Sequence, residues 1–172
     1  MKRLIEVLGL AFCVIGAIGL AEGAPVARVL ESGDGLELRF EGGEQSVTEV
    51  IPLYREERGR YFSAGIGIDE RQAEYPPFPL KLVFTAGGKP FLTGVAVTIR
   101  SAKDGKVLTI PDSRVTGPWL FIDLAPGMYD VTGTYSGQVQ GLKAIKVEAG
   151  KQKTVHLRWP EDRGAGNLLP AQ

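Results

Sequence analysis

From Leu80 onward the chain alternates apolar and polar positions with a period of two. Residues 80–85 set Leu80, Leu82 and Phe84 on one face, and residues 95–101 set Val95, Val97 and Ile99 against Thr98 and Arg100. Successive side chains point to opposite faces of a strand, so this period predicts half-buried β-structure. Runs at 107–110, 119–124, 128–135, 138–147 and 154–159 complete a set of seven expected strands. Turn residues separate them at Asp104-Gly105, Gly117-Pro118, Ser136-Gly137 and Glu148-Ala149-Gly150-Lys151. Short strands at this spacing predict an all-β fold, a seven-stranded Greek-key, Ig-like sandwich over 80–159.

The segment before it is less regular and reads as an N-terminal extension and junction over 24–79. Leu36-Glu37-Leu38-Arg39-Phe40 alternates, Gly42-Gly43 turns, and residues 47–53 can pair back as a hairpin. Pro52 lacks an N–H and marks that second strand as an edge. The mixed charges of Arg55-Glu56-Glu57-Arg58-Gly59-Arg60 suit a solvated loop or a helical turn. Ala64-Gly65-Ile66-Gly67-Ile68 leads into Asp69–Glu74, enough for one or two helical turns, and Tyr75-Pro76-Pro77-Phe78-Pro79 then forces extended backbone. Residues 160–172 lack alternation and are expected to form a loose tail.

Residues 1–23 read as a secretory leader. Lys2 and Arg3 precede an uncharged run from Val7 to Ala21, and small residues allow cleavage after Gly23 or after Ala21. The run is shorter than the roughly 20 residues that span a bilayer, so no membrane span is expected after cleavage. Cys13 is the one cysteine and leaves with the leader, with Phe12 where a lipidation site needs a small residue. About 149 residues then remain, enough for one core without disulfides. A periplasmic or secreted location follows from this reading.

The chain carries 20 basic and 20 acidic side chains. Lys2, Arg3, Glu6 and Glu22 leave together, so the exported part stays neutral and offers no electrostatic basis for binding nucleic acid. Glycine and proline, 23 and 11 residues, form a fifth of the chain, which fits many turns in a folded domain.

Leu124-Ala125-Pro126-Gly127-Met128-Tyr129-Asp130-Val131, the Ser136-Gly137 turn, Ile145-Lys146-Val147-Glu148-Ala149-Gly150 and a last strand ending at Trp159 resemble the second half of a carboxypeptidase regulatory-like domain. Residues 89–99 resemble the strand that precedes it in that family. The resemblance implies a transthyretin-like sandwich over 80–159. Phe62-Ser63-Ala64-Gly65-Ile66-Gly67 with Asp69-Glu70-Arg71, together with Gly117-Pro118-Trp119-Leu120, is similar to small secreted proteobacterial proteins of unassigned function. That similarity implies a stand-alone periplasmic domain and brings no catalytic residues.

The signature residues have structural explanations. Pro126 fixes φ at a turn, Gly127 is expected to permit a backbone that others would strain, and Tyr129 is expected to bury its ring and bond a loop carbonyl. His156 is the one histidine and alternates onto the solvent face with Thr154 and Arg158, opposite Val155, Leu157 and Trp159. A zinc peptidase needs more ligands than one histidine supplies, and Gly133-Thr134-Tyr135-Ser136-Gly137 places its serine wrongly for a nucleophile elbow. We therefore expect no catalytic residue, metal or cofactor. The candidate binding residues are Trp119 and Trp159, as an aromatic platform for a glycan, and Gly65, Gly67 and Glu70 at the junction. A cell-envelope protein, recruited to an exposed sheet edge, is the other expected partner.

Overall fold

The computed structural model describes residues 24–42, 45–87, 91–160 and 168–169. The expected leader over 1–23 with Cys13, the Gly43 of the first turn, and all of the tail beyond Pro160 except 168–169 lie outside the described residues.

The chain forms β1 (Ala27–Val29), β2 (Gly35–Gly42), β3 (Gln45–Pro52), β4 (Tyr54–Glu56), β5 (Gly59–Ala64) and the short helix α1 (Ile68–Gln72). It continues through β6 (Leu80–Ala86), β7 (Phe91–Leu92), β8 (Ala96–Ser101), β9 (Val107–Ile110), β10 (Trp119–Asp123), β11 (Gly127–Tyr135), β12 (Gln138–Val147), β13 (Lys153–Trp159) and β14 (Leu168–Leu169). All seven strands read from the alternation are present. Instead of an entirely loose tail, Leu168 and Leu169 pair with Leu92 and Phe91.

These strands make three sheets. One has the order β12-β11-β8-β9. It faces a sheet in which β4, β5, β10 and β6 are neighbours and β13 runs parallel to β6, with Val155 opposite Leu82. The inner faces of these two sheets meet in a core of Tyr61, Leu80, Leu82, Phe84, Leu120, Ile122, Val155, Leu157 and Trp159 against Val97, Ile99, Leu108, Ile110, Val131 and Val147. The protein is an all-β sandwich.

The N-terminal segment does more than precede this sandwich. Strand β5 pairs with β10 along its whole length, Trp119 to Ala64 through Asp123 to Arg60, so the sandwich begins upstream of Leu80, where the alternation places its start. The β1-β2-β3 sheet then covers the outer face of β5 and β10, where Leu36, Leu38, Ile51 and Leu53 bury Phe62, Phe78 and Phe121. Two bonds, Ala27 N–H to Glu74 O and Glu74 N–H to Pro25 O, tie its first strand to the segment after α1. Strands β5 and β10 of the middle sheet are thus packed on both faces.

The charged run at 55–60 is a hairpin, not a solvated loop or helical turn. It joins β4 to β5 with Arg55 opposite Arg60, and its charges reach distant elements: Arg60 pairs with Asp123, Glu56 with Arg114, and Arg58 with Asp104. Each pair is part-exposed and screened by solvent, so none is a main source of stability. The run follows from register, which sets these charges along one rim of the sandwich.

Candidate functional site

Three of the candidate residues come together on the outer face of the middle sheet. The Glu70 carboxylate is buried and accepts the N–H groups of Gly65 at 2.5 Å and Ile66 at 3.2 Å. Arg71 returns the favour to the same loop, donating from Nε to the Gly65 carbonyl (2.8 Å) and from Nη2 to that of Ile66 (3.0 Å). The Tyr75 hydroxyl donates to the Glu70 carbonyl at 2.9 Å. Glu70 therefore serves the loop before α1. The junction satisfies its own polar groups.

Gly65 is required by contact and conformation together. Its φ is +95°, and a Cβ would lie 2.9 Å from the Trp119 indole. Gly67 stands apart, exposed, with nothing within 4 Å of a Cβ placed there, and it joins no site. Trp159 is also elsewhere. It is buried in the sandwich core, donates from Nε1 to the Gln138 carbonyl at 3.1 Å, and sits over Gly133, whose Cβ would be 2.9 Å from the ring. A platform that includes Trp159 is therefore corrected to a core contact.

Sequence reasoning passed over Lys81 and Tyr75. Lys81 lies opposite Phe121 in the sheet and places Nζ 3.4 Å from the Trp119 ring centroid and 5.0 Å from that of Phe121. Tyr75 packs on Phe62 and Phe121 at centroid distances of 5.4 and 4.9 Å. The signal for Lys81 was present in Leu80-Lys81-Leu82, which turns it to the face opposite the sandwich core. Among the described residues no carboxylate lies within ion-pair distance of its ammonium. Burial pushes Lys81 down to about 8. Burial, and then the charges of Glu70 and Glu49, raise the Tyr75 hydroxyl; burial and Glu70 raise Glu49.

A pH dependence follows. Lys81 holds its proton less tightly folded than unfolded, so between about pH 8 and its ordinary 10.5 the unfolded chain carries more protons and stability rises with pH. Below pH 8 the full penalty of burying the ammonium is present. Urea unfolding from pH 7 to pH 10 should show this rise, and Lys81→Met should flatten it. Equal slopes in the two proteins would refute the assignment.

The signature corner behaves partly as expected. The Tyr129 hydroxyl donates to the Ala125 carbonyl at 2.8 Å, and its half-buried ring packs against the sandwich core. Gly127 differs from expectation: it is not among the positive-φ residues, and its Cβ would only touch the Tyr129 ring at 3.4 Å. Neither backbone conformation nor contact therefore requires glycine at this position. His156 is exposed, as the alternation predicts.

A different surface emerges at the sheet edge. Among the described residues β12 pairs with β11 alone. Ser136 and Gly137, with φ of 46° and 76°, form the two-residue turn that joins these strands, as the glycine turn predicts. Antiparallel alternation counted from that turn points the backbone N–H and C=O of Val139 and Gly141 outward. Val139 and Leu142 are 61% and 42% exposed. Beyond Leu142 the register breaks: Ala144 has φ 56° and its N–H bonds Asp130, in a bulge flanked by Lys143 and Lys146. Bulges and lysines are the usual protection of an edge, and here they leave 138–142 unguarded.

The fold and these surfaces define an all-β sandwich with a third sheet layered on one face. No family model matches the chain, and no curated protein matches it. The solved structure of the Bacillus anthracis TIE protein is similar at 11% identity and a TM-score of 0.34, over 82% of this chain and 39% of that one. The chain thus spans less than half the length of that protein. Among the described residues no three His, Cys, Asp or Glu side chains gather as a metal site, and no helix is long and apolar enough to cross a membrane.

Proposed function

We propose that this chain is an exported, non-catalytic β-sandwich module of the periplasm that binds a cell-envelope protein by adding an extended segment of that protein to β12. The observation that carries this is the selective protection of the edge. The bulge and lysines guard its far half, while 138–142 offers outward backbone groups beside the exposed side chains of Val139 and Leu142. The competing edges suit this less: β3 ends at Pro52, β1, β4, β9 and β14 are four residues or shorter, and β13, which among the described residues pairs with β6 alone, shows solvent the polar Lys153, Thr154, His156 and Arg158. The leader over 1–23 supports export, and the 124–131 corner supports kinship with carboxypeptidase regulatory-like domains. A glycan platform loses support, because Trp159 is buried and Lys81 occupies a face of Trp119.

The test is site-specific photocrosslinking in intact cells. A photoreactive residue at Gln140 should trap one protein, and the same residue at the exposed Thr109 of β9 should not. Gly141→Pro removes an outward N–H while sparing the ladder to β11, and should reduce the Gln140 product several-fold. A product equally strong with Gly141→Pro, or none from Gln140, would overturn the edge as the docking site.

A further inference from the structure

A cleft opens at one end of the sandwich, away from β12's free half, where three connections meet: the β4–β5 turn, the β8–β9 turn and the Pro126-Gly127 corner. It encloses about 350 Å³. Its floor is the apolar core itself, through Ile99, Leu108 and Leu124, each no more than 5% exposed. Its rim carries the charged side chains of both turns. We propose that this cleft binds a small amphipathic carboxylate, with the apolar body on that floor and the carboxylate against Lys103 and Lys106.

The sign of the ligand follows from which rim charges are already engaged. Arg58 contacts both Glu57 (3.4 Å) and Asp104 (3.5 Å), and Asp104 also accepts the Lys106 N–H at 3.2 Å. Asp104 is held below its ordinary range, first by its bond to Ser101 and then by Lys106 and Arg58. Both acidic groups on the rim thus have a cation or donor beside them. The ammonium groups of Lys103 and Lys106 have no ion pair among the described residues, and the Tyr129 hydroxyl is committed to Ala125. The unmet charge on the rim is therefore positive. The site is concave, with Ile99, Leu108 and Leu124 beneath it and the exposed Met128 and half-buried Tyr129 on its wall, the arrangement in which small ligands bury their apolar part. A cleft at the small end of the usual range takes a ligand of about ten non-hydrogen atoms, with a Kd of about 1 mM or tighter.

Neither the edge reading nor this one depends on the other, since the lining residues are distinct from 138–142. Backbone ¹⁵N–¹H spectra of the protein titrated with sodium octanoate should show saturable shifts confined to 57–58, 99–108 and 124–129. Titration with 1-octanol should move the same resonances with at least fivefold weaker affinity. Lys103→Glu with Lys106→Glu, both on an exposed turn, should weaken octanoate at least fivefold and leave octanol unchanged. Ala125→Trp, on the exposed rim, should abolish both, with the unshifted resonances reporting that the fold is intact. Shifts scattered over other strands, octanoate binding that survives both variants, or no saturable shift at all would overturn the proposal.

Discussion

Phe121→Ala is expected to lower the folding stability by about 3–5 kcal/mol, the range for emptying a buried aromatic site. Phe121 is 2% exposed and lies where the middle and N-terminal sheets meet. It stacks on Phe62 at 4.6 Å and an interplanar angle of 7°, touches Tyr75 at 4.9 Å, and meets Trp119 edge-on at 6.5 Å. Two measurements check it. Urea unfolding should show the loss in midpoint, and limited proteolysis should cut first within β1–β3, because that sheet has lost its main anchor. A loss under about 1 kcal/mol would mean that the third layer is not held through this ring.

Gly117→Ala should cost about 3 kcal/mol, the upper end of overpacking. Gly117 is buried, and a Cβ there would overlap the Ala64 carbonyl oxygen and lie 3.1 Å from the Ala64 Cα. Backbone cannot turn aside as a side chain does, so β5 and β10 would have to separate where Trp119 pairs with Ala64. The position has a second tie, since Ser63 Oγ accepts the Gly117 N–H at 2.8 Å and reaches its carbonyl at 3.0 Å. Ser63→Ala leaves that buried N–H unmet and should cost about 1–3 kcal/mol, less than Gly117→Ala. Thermal unfolding of the two variants gives the order. The reverse order would show that the close approach is not the constraint.

The strands with one dry face were legible because their pattern is local. In β13 the order Val155, His156, Leu157, Arg158, Trp159 gives buried and exposed positions in strict alternation. The alternation that exposes His156 also buries Trp159, so the loss of Trp159 as a platform was already implied there. Strand β5 was not legible by the same rule. Tyr61-Phe62-Ser63-Ala64 is buried throughout because both faces are covered, and a strand packed on two sides shows no period. The partners of the charged hairpin lie 46 to 63 residues away, beyond anything a spacing rule reads.

The sequence alone determined the seven strands of 80–159, their turns and, in 80–85, 95–101 and 154–159, the inward face, because pleating makes side-chain direction a property of neighbouring residues. It also implied that the Tyr129 hydroxyl bonds a loop carbonyl, which is that of Ala125, four residues away. Tertiary structure decided how strands far apart in the chain are registered. That register put β5 beside β10, laid β1–β3 over Phe62 and Phe121, and brought Lys81 onto Trp119. It also left β12 as an edge and the sandwich end open above Ile99, Leu108 and Leu124. Which backbone stays unpaired and which core side chains lie beneath a cleft depend on non-local pairing, and no local pattern encodes them.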